Sequence, residues 1–386
     1  MTRIPPRNQS TDFHEWLNLH TVANSEIYTS GAFSKEFEKR LADFVGARFA
    51  LLCNSGSSAN LLAVSALTSP LLGERRLKPG DEVITTALNF PTTVNPIIQN
   101  GLVPVFVDIE LPYYVEVGTP YSDYPLVLNT NFLGNMAYNL SGNWRIKDCC
   151  DSLGTKWLNK SKLDVFDYAN ISTYSFYPAH TITTGEGGAV CTDDPLLYKI
   201  MRSFRDWGRD CFCEPGENNK CGHRFDGGYD HKYTYSHIGY NLQMTEMQAA
   251  IGVAQMAKLP GFIEARKRNF KKYYDGLKDL EDVFILPEAT PGSDPAWFGF
   301  PLTFRDGRDC NSFCQMLDSK GIEVRRMFAG NILKQPAYKD IKYRIIGDLK
   351  NTDFVHKAGF WIFVSPTLTD EMMEFVIQTI RKGVKK

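Results

Sequence analysis

Short apolar runs alternate with helix-like segments through the first two thirds of the chain. The runs "FALLCN", "DEVITT", "VPVFVDI", "PLVLNTN" and "WRIKDC" have the length of buried strands, and segments such as "SSANLLAVSALT" lie between them. Buried strands separated by helices indicate a mainly parallel α/β sheet, in which ligands bind at the carboxyl ends of the strands. We therefore expect the motifs that carry chemistry to lie directly after strands.

The chain is long enough for two domains, because its 386 residues exceed the roughly 250 to 300 at which one hydrophobic core stops growing. From Thr245 the pattern changes to a long helix, and the restriction on the residue before Pro260 favours a break or kink near Leu259. The rest resembles a smaller α+β unit. We predict a large cofactor-binding domain over 1–260 and a small C-terminal domain over 261–386.

Composition excludes several classes of partner. The chain is 43% hydrophobic with a net charge of -1, which gives no electrostatic reason to expect nucleic acid or an anionic membrane. No apolar run reaches the roughly 18 residues of a membrane span, and "MTRIPPRNQSTDFHEW" lacks the apolar core of a signal peptide. We expect a cytoplasmic protein whose partners are small molecules or proteins.

Two motifs follow predicted strands. In "LCNSGSSAN", the N–H groups of Gly56 and Ser57 at a helix start could hold a phosphate, although a simple serine N-cap has the same pattern. In "KDCCDSLG", Asp148 could keep the ring nitrogen of a pyridine cofactor protonated. The alternative is that Asp148 and Asp151 only cap the next helix.

The cysteines form a third pattern. Cys211, Cys213 and Cys221 are spaced C-x-C-x7-C in a loop rich in Gly, Pro and Asn, and Cys150 or Cys149 could supply a fourth thiolate. Zinc sites usually use C-x2-4-C pairs, so the C-x-C start favours an iron–sulfur cluster. The alternative is a set of free cysteines.

A histidine occupies an unusual place in "SFYPAHTITTGEGG". The glycine-rich turn after a strand-like run looks like the loop in which a pyridoxal phosphate enzyme carries its cofactor lysine, but this chain has His180 there. Imidazole cannot form the stable imine that a lysine amine makes with an aldehyde, whereas its pKa of about 6.5 suits proton transfer. A structural histidine is the plain alternative. We predict an acid/base site with a noncovalently bound cofactor.

Taken together, the motifs resemble the sugar aminotransferases of the fold type I (aspartate aminotransferase-like) pyridoxal phosphate enzymes, and within them the 3-dehydrases of 3,6-dideoxysugar biosynthesis. The resemblance covers nearly the whole chain. It rests on "SGSSANLLA", "PGDEVIT", "FPTTVNPIIQNGLVPVFVD", "DCCDSLG", "SFYPAH", "GEGGAV", "SFRDWGRDC", "GYNLQMTEMQAA", "WFGFP" and "FAGN".

The resemblance implies a role for each motif residue. The cofactor would be pyridoxamine phosphate (PMP), with His180 as the base and Tyr177 beside it, and Asn241 would reach the phosphate of the neighbouring subunit in a homodimer. A [2Fe–2S] cluster would be held by Cys150, Cys211, Cys213 and Cys221. The remaining cofactor contacts would be Gly56, Ser57 and Ser175 on the phosphate, Phe90 on the ring face, Asp148 on the ring nitrogen and Asp151 near the ring hydroxyl.

The implied reaction removes the C3 hydroxyl of a nucleotide-linked 4-keto-6-deoxyhexose through an adduct of the sugar with PMP. Because the chain lacks a dinucleotide-binding fingerprint, electrons would come through the cluster from a separate NADH-dependent flavin and iron–sulfur reductase. Basic residues in "EVRRMFAGNILKQP" would contact the diphosphate of the substrate or form a solvated surface. Two alternatives are a non-redox, glutamate-dependent 3-dehydratase and a noncatalytic regulatory relative with structural zinc.

The sequence departs from the family pattern in three places. The segment from Tyr113 to Trp144 is shorter and lacks what looks like a crossover helix, and "NKSKLDVFDYANIS" before the Ser175 motif is slightly longer. About a dozen residues separate the runs that end near Asn131 and begin near Trp144, close to the minimum for a parallel crossover, so we expect no full helix there. The relatives also tend to follow the histidine with a second one, where this chain has Thr181.

Overall fold

The computed structural model describes residues 10–116, 121–137, 142–158, 169–211, 213, 219–220, 222 and 224–385. Helices and strands alternate through its first half, as the apolar runs predict. The helices are α1 (Phe13–Ser25), α2 (Ala32–Val45), α3 (Gly56–Ala66), α4 (Pro91–Gln99), α5 (Pro195–Arg205), α6 (Glu246–Leu277), α7 (Asn311–Ser319), α8 (Lys350–Ala358) and α9 (Asp370–Val384).

The strands form two main sheets and one short pair. They are β1 (Phe49–Cys53), β2 (Glu82–Thr86), β3 (Val103–Val107), β4 (Leu126–Thr130), β5 (Trp144–Asp148), β6 (Lys156–Trp157), β7 (Ile171–Ser175), β8 (Gly188–Thr192), β9 (Phe284–Ile285), β10 (Ser293–Asp294), β11 (Gly299–Phe304), β12 (Val324–Arg326), β13 (Arg344–Ile345) and β14 (Gly359–Phe363).

The larger sheet has eight strands in the order β1-β8-β7-β5-β4-β2-β3-β13. The pairs from β7 to β13 are parallel, whereas β8 runs antiparallel to both β1 and β7. Strands such as β3 and β8 are buried at every residue, which fits a sheet covered on both faces. This arrangement confirms the predicted mainly parallel α/β fold.

The connection from β4 to β5 is short, as expected. Its described part contains one 3-10 turn, Phe132–Gly134, in which Leu133 has a φ of 52° and ψ of 26°. The two strands still pair in parallel, with Leu128 opposite Ile146. No α-helix is present in the described part of this crossover, residues 131–137 and 142–143.

The predicted break near Leu259 is wrong. Helix α6 continues through Pro260 to Leu277. Proline removes only one backbone donor, and packing holds the helix on both sides of it: Leu259, Phe262 and Ile263 belong to the core of the large sheet. Tertiary burial therefore outweighs the local preference of the residue before proline.

The smaller sheet is antiparallel, in the order β12-β14-β11-β9. Its core includes Phe270, Tyr273 and residues of α9 such as Ile380. Strand β13 comes from this C-terminal part of the sequence but pairs with β3 of the larger sheet. The domain division at 260 remains a prediction, and α6 crosses it without interruption. None of the described helices combines the length and apolar character needed to cross a membrane.

Candidate functional site

One cavity of about 1380 Å³ lies at the carboxyl ends of the parallel strands. Most of the residues predicted from separate motifs line it, as the rule for parallel sheets requires. The predicted residues in its wall are Gly56, Ser57, Phe90, Asp148, Cys150, Asp151, Ser175, Tyr177 and His180.

The start of α3 forms one wall. Ser55 is the N-cap, and its Oγ accepts a hydrogen bond from the N–H of Ser58 at 3.1 Å. A Cβ on Gly56 would lie 2.5 Å from Cβ of Ser175 and 3.0 Å from Sγ of Cys150, so only glycine allows this approach. The first N–H groups of a helix have no partner within it, and the helix dipole is positive there. This corner is suited to a phosphate.

Asp148 ends β5 and is buried in a set of donors. Its Oδ2 accepts hydrogen bonds from Asn60 Nδ2 at 2.8 Å and Thr93 Oγ1 at 2.7 Å, and its Oδ1 accepts one from the N–H of Cys150 at 3.1 Å. Asn60 is oriented in turn by Thr173, whose Oγ1 donates to Asn60 Oδ1. Oδ1 of Asp148 accepts only the N–H of Cys150 among these bonds, so it can also accept a hydrogen bond from a proton-bearing ring nitrogen. Asp148 can therefore cap the following segment and contact a pyridine nitrogen at once.

Asp151 and His180 form a pair at the base of the cavity. Nδ1 of His180 lies 3.4 Å from Oδ1 of Asp151, and Oδ2 of Asp151 accepts a hydrogen bond from the N–H of Leu133 at 3.2 Å. Burial, aided by the charge of Asp148, raises the pKa of Asp151 to about 8. Burial, aided by the cation of Arg266, lowers the pKa of His180 to about 3. The imidazole is therefore neutral at neutral pH and can accept a proton.

Aromatic rings surround the opening. Phe90, the N-cap residue of α4, is 47% exposed and meets Phe328 edge-on with ring centroids 5.8 Å apart. Tyr177 is 51% exposed, and its carbonyl accepts the N–H of His180 at 2.9 Å, which closes a turn. Both residues line the cavity with exposed rings, and stacking of Phe90 on the cofactor stays a prediction.

Two arginines of the basic segment also line the cavity. The guanidinium of Arg326 is bonded to Asn311 and to backbone carbonyls, including that of Gly359 at 3.3 Å. Arg325 has a half-exposed side chain that contacts Glu323. The segment is thus part of the cavity wall, and Arg325 is its more accessible cation.

Asn241 does not line the cavity of its own chain. It is exposed and forms an isolated antiparallel bridge with Asp206. Ile238 in the same segment is 96% exposed. A residue predicted to act in the neighbouring subunit should lie on the surface in this way, and the role itself stays a prediction.

The four predicted cluster cysteines are not assembled in the described residues. Cys150 lines the cavity, whereas Cys211 lines a separate depression with His237, and Cys221 lies outside the described part of the chain. The N–H of Cys213 donates to Sγ of Cys211 at 3.4 Å. No group of three or more potential metal ligands is found among the described side chains. Cluster binding therefore remains a prediction.

Cys149 and Cys150 differ sharply in position. Cys149 is buried in the core and accepts a hydrogen bond from Nδ2 of Asn131 at 3.5 Å. Cys150 faces the cavity, where burial and the neighbouring charge of Asp148 raise the pKa of its thiol. The two cysteines thus differ in access to the cavity, and the choice of Cys150 as the fourth ligand stays a prediction.

The residues present fit PMP. A glycine that admits a helix start, a buried carboxylate with a spare oxygen lone pair, exposed aromatic rings and a neutral imidazole meet in one cavity. Sequence reasoning missed Asn60 and Thr93, which hold Asp148, and Arg266, which contacts the histidine loop. Asn60 lies inside the quoted "SGSSAN" motif, but no sequence signal distinguishes Arg266 from its charged neighbours.

The chain is similar to known proteins along most of its length. The model of the DegT/DnrJ/EryC1/StrS aminotransferase family matches residues 10–116 and 138–381. The lipopolysaccharide biosynthesis protein RfbH of Salmonella typhimurium is 49% identical, over 97% of this chain and 90% of that protein. The dTDP-4-dehydro-2,6-dideoxy-D-glucose 3-dehydratase of Saccharopolyspora spinosa is 42% identical, over 100% and 87%.

Solved structures agree with the fold. The E. coli GDP-4-keto-6-deoxy-D-mannose-3-dehydratase with bound hydrated PLP has a TM-score of 0.85 at 27% identity, covering 98% of this chain and 100% of that chain. A GDP-4-keto-6-deoxymannose-3-dehydratase with a trapped PLP-glutamate geminal diamine has a TM-score of 0.83 at 27% identity, covering 97% of this chain and 99% of that chain. These neighbours confirm the predicted fold type I architecture.

Proposed function

The chain belongs to the DegT/DnrJ/EryC1/StrS aminotransferase family of enzymes, and from this we propose that it is a PMP-dependent nucleotide-sugar 3-dehydrase that acts on CDP-4-keto-6-deoxy-D-glucose. The observation that carries the proposal is His180. A histidine stands where an aminotransferase needs a lysine, in a cavity that is otherwise equipped for the cofactor.

The protein residues divide the work. Bound PMP supplies an amine for the sugar ketone and a ring that accepts electrons. Gly56, Ser57 and Ser175 hold the phosphate, and Asp148 holds the proton on the ring nitrogen. His180 accepts a proton on its neutral imidazole, whose Nδ1 lies 3.4 Å from Oδ1 of Asp151.

The substrate is proposed from chemistry and from relatives. Two relatives are named as 3-dehydratases of nucleotide-linked keto sugars, and one is named as a lipopolysaccharide biosynthesis protein. Arg325, at the cavity wall, provides a cation for the diphosphate. CDP is proposed over dTDP and GDP because the motif set most resembles that of CDP-4-keto-6-deoxyglucose 3-dehydrase. The reaction belongs to 3,6-dideoxysugar biosynthesis.

The redox part of the proposal rests on the cysteines. A [2Fe–2S] cluster on Cys150, Cys211, Cys213 and Cys221 would pass electrons from an NADH-dependent flavin and iron–sulfur reductase. Support comes from the C-x-C-x7-C spacing, from the N–H to sulfur bond of Cys213 to Cys211, and from the cavity position of Cys150. A homodimer in which Asn241 completes the partner's site is part of the same proposal.

An anaerobic preparation tests this function directly. Iron, sulfide and visible absorbance are measured, and the protein is then assayed with CDP-, dTDP- and GDP-4-keto-6-deoxysugars plus a reductase. Loss of the C3 hydroxyl that depends on reductase supports the proposal, with the fastest turnover expected on the CDP sugar. Zinc without sulfide, or no C3 deoxygenation of any sugar, would contradict it.

A non-redox 3-dehydratase is the second candidate. A relative from E. coli named as a GDP-4-keto-6-deoxy-D-mannose 3-dehydratase is 30% identical over 94% of this chain, and a solved structure of a GDP-4-keto-6-deoxymannose-3-dehydratase holds a trapped PLP-glutamate geminal diamine. A colourless, iron-free protein that yields a 3-deoxy product with glutamate alone would establish this candidate instead.

A further inference from the structure

Arg266 in α6 is buried, with 1% of its surface exposed, yet its guanidinium has no carboxylate within ion-pair distance among the described residues. A buried cation is costly unless its donors are satisfied. Here backbone carbonyls satisfy most of them. Because burial of this cation costs desolvation free energy, we expect its contacts to serve a role beyond packing.

The guanidinium of Arg266 donates to four backbone carbonyls, which belong to two separate segments. Nη1 donates to the carbonyls of Trp297 at 3.0 Å and Phe298 at 3.3 Å. Nη2 donates to those of Ala179 at 3.3 Å and His180 at 3.2 Å. The planar guanidinium thus fixes the histidine loop against the segment that leads into β11.

A second set of contacts connects Phe298 to the imidazole through Leu133 and Asp151. The N–H of Phe298 donates to the carbonyl of Leu133 at 2.9 Å, and the N–H of Leu133 donates to Asp151. Asp151 then contacts Nδ1 of His180, which closes the circuit back to Arg266. The ring of Phe298 lies 5.2 Å from that of His180. Every link is a polar contact or ring contact between described residues.

Leu133 holds a left-handed backbone conformation at φ 52°, which is unusual for a residue with a branched side chain. Such strain persists only where the surrounding structure over-determines the residue. Leu133 is held by two hydrogen bonds: its N–H donates to Asp151, and its carbonyl accepts from the N–H of Phe298. The strain is located beside the Asp151–His180 pair.

We propose that Arg266 is a positioning residue of this enzyme: by clamping the carbonyls of residues 179–180 and 297–298, it holds the imidazole of His180 against Asp151. The inference rests on the proposed function, since it assigns Arg266 to the proton transfer at His180. Arg266 touches neither substrate nor cofactor and acts through the backbone of the base.

Substitution by lysine separates clamping from charge. Arg266→Lys keeps the cation, but an ammonium has three rotatable donors on a point charge and cannot span both segments as a planar fork. Arg266→Met keeps the length and removes both. Arg205, which is also buried and also donates to a backbone carbonyl, serves as the control through Arg205→Lys.

The first measurement is steady-state turnover of the reconstituted holoenzyme. We expect Arg266→Lys to lower kcat about 100-fold while the KM for the sugar stays within about threefold, since a small misplacement of a reacting group has this effect. The fall is to be corrected for folded fraction by circular dichroism. A kcat that falls only in proportion to folded protein would overturn the proposal.

The second measurement needs no turnover. Nitrogen-15 NMR of histidine-labelled protein reports the imidazole tautomer, and His180→Asn assigns the signal. We expect one tautomer in the wild type and averaged shifts in Arg266→Lys, with no change in Arg205→Lys. Unaltered His180 shifts in a folded Arg266→Lys protein would refute the clamp. If wild type deoxygenates no sugar, the proposed function fails while this readout still decides on Arg266.

Discussion

Nδ1 of His180 lies 3.4 Å from Oδ1 of Asp151, and burial moves the pKa values of these two groups in opposite directions. Burial disfavours the charged form of each group, so the imidazole is neutral near neutral pH. This relationship defines what the site can do without a lysine.

Replacement of the base gives the first prediction. His180→Asn should lower C3 deoxygenation by about 10²- to 10⁴-fold, the usual contribution of a general base, because amide nitrogen does not accept the proton. Cofactor affinity, measured by absorbance titration with PMP, should change little. Persistent turnover in this variant would mean that another residue is the base.

The pH dependence of stability gives the second. The folded pKa of His180, about 3, lies below its unfolded value of about 6.5, so the unfolded chain binds more protons between these values. Wild type should therefore lose stability as pH falls from about 6.5 towards 3, by up to about 1.4 kcal/mol per pH unit from this group.

The matched comparison is His180→Asn, which lacks the titrating ring. Urea unfolding of both proteins between pH 7 and pH 4 gives the free energy difference at each pH. We expect wild type to weaken relative to the variant as pH falls. A difference that does not vary with pH would show that His180 titrates alike in both states.

A third prediction concerns the helix start at Gly56. In Gly56→Ala the new methyl meets Ser175 and Cys150, so α3 must shift away from β7. We expect the Kd for PMP to rise about tenfold or more, equivalent to about 1.4 kcal/mol. Fluorescence titration measures it.

Gly261→Ala is the control, because no atom lies within 4 Å of the added methyl and the site is in the exposed part of α6. It should stabilise the helix by about 0.5–1 kcal/mol and leave the Kd unchanged. Equal Kd values for the two alanine variants would remove the steric argument.

The fourth prediction separates the charge of Asp148 from its hydrogen bonds. Asp148→Asn keeps the shape but cannot hold a proton on the ring nitrogen, and we expect a loss of about 100-fold or more in kcat, as for an electrostatic contact of about 3 kcal/mol. Thr93→Val removes one hydrogen bond to Oδ2 and should cost less. Activity in Asp148→Asn equal to that of Thr93→Val would argue against the ring-nitrogen contact.

Iron content gives the fifth. Cys150→Ser should lose most of the bound iron and the visible absorbance, because the cluster would lack one thiolate. Cys149→Ser, one residue away but buried in the core, should keep both. Elemental analysis of anaerobic preparations compares them. Full iron retention by Cys150→Ser would exclude it as a ligand.

The sequence predicts the site better than it predicts the supporting contacts. Asp148 and Ser175 end buried strands and Gly56 lies just after one, so the apolar runs of the sequence point to this edge of the sheet. Arg266 belongs to the run "EARKRNFKK", where charge alone indicates solvent. The tertiary structure buries Arg266, so its contacts with the histidine loop could not be predicted from the sequence.

Two further features depended on tertiary structure. Strand β8 runs antiparallel to both β1 and β7. A run of five buried residues is compatible with either strand direction, so the sequence could not predict this. The sequence around Pro260 favours a helix break on local steric grounds, and the packing that keeps α6 continuous is a tertiary property. Thr181 is buried beside His180, and nothing in the structure explains its hydroxyl.

Strand β13 has a consequence for how the protein is made. The ribosome releases β3 long before Arg344 and Ile345, the residues that pair with it. Until then the outer N–H and C=O groups of β3 are an open template for another nascent chain. Pairing of Arg344 and Ile345 with β3 therefore covers this edge of the larger sheet, and truncation before these residues would leave a protein prone to aggregate.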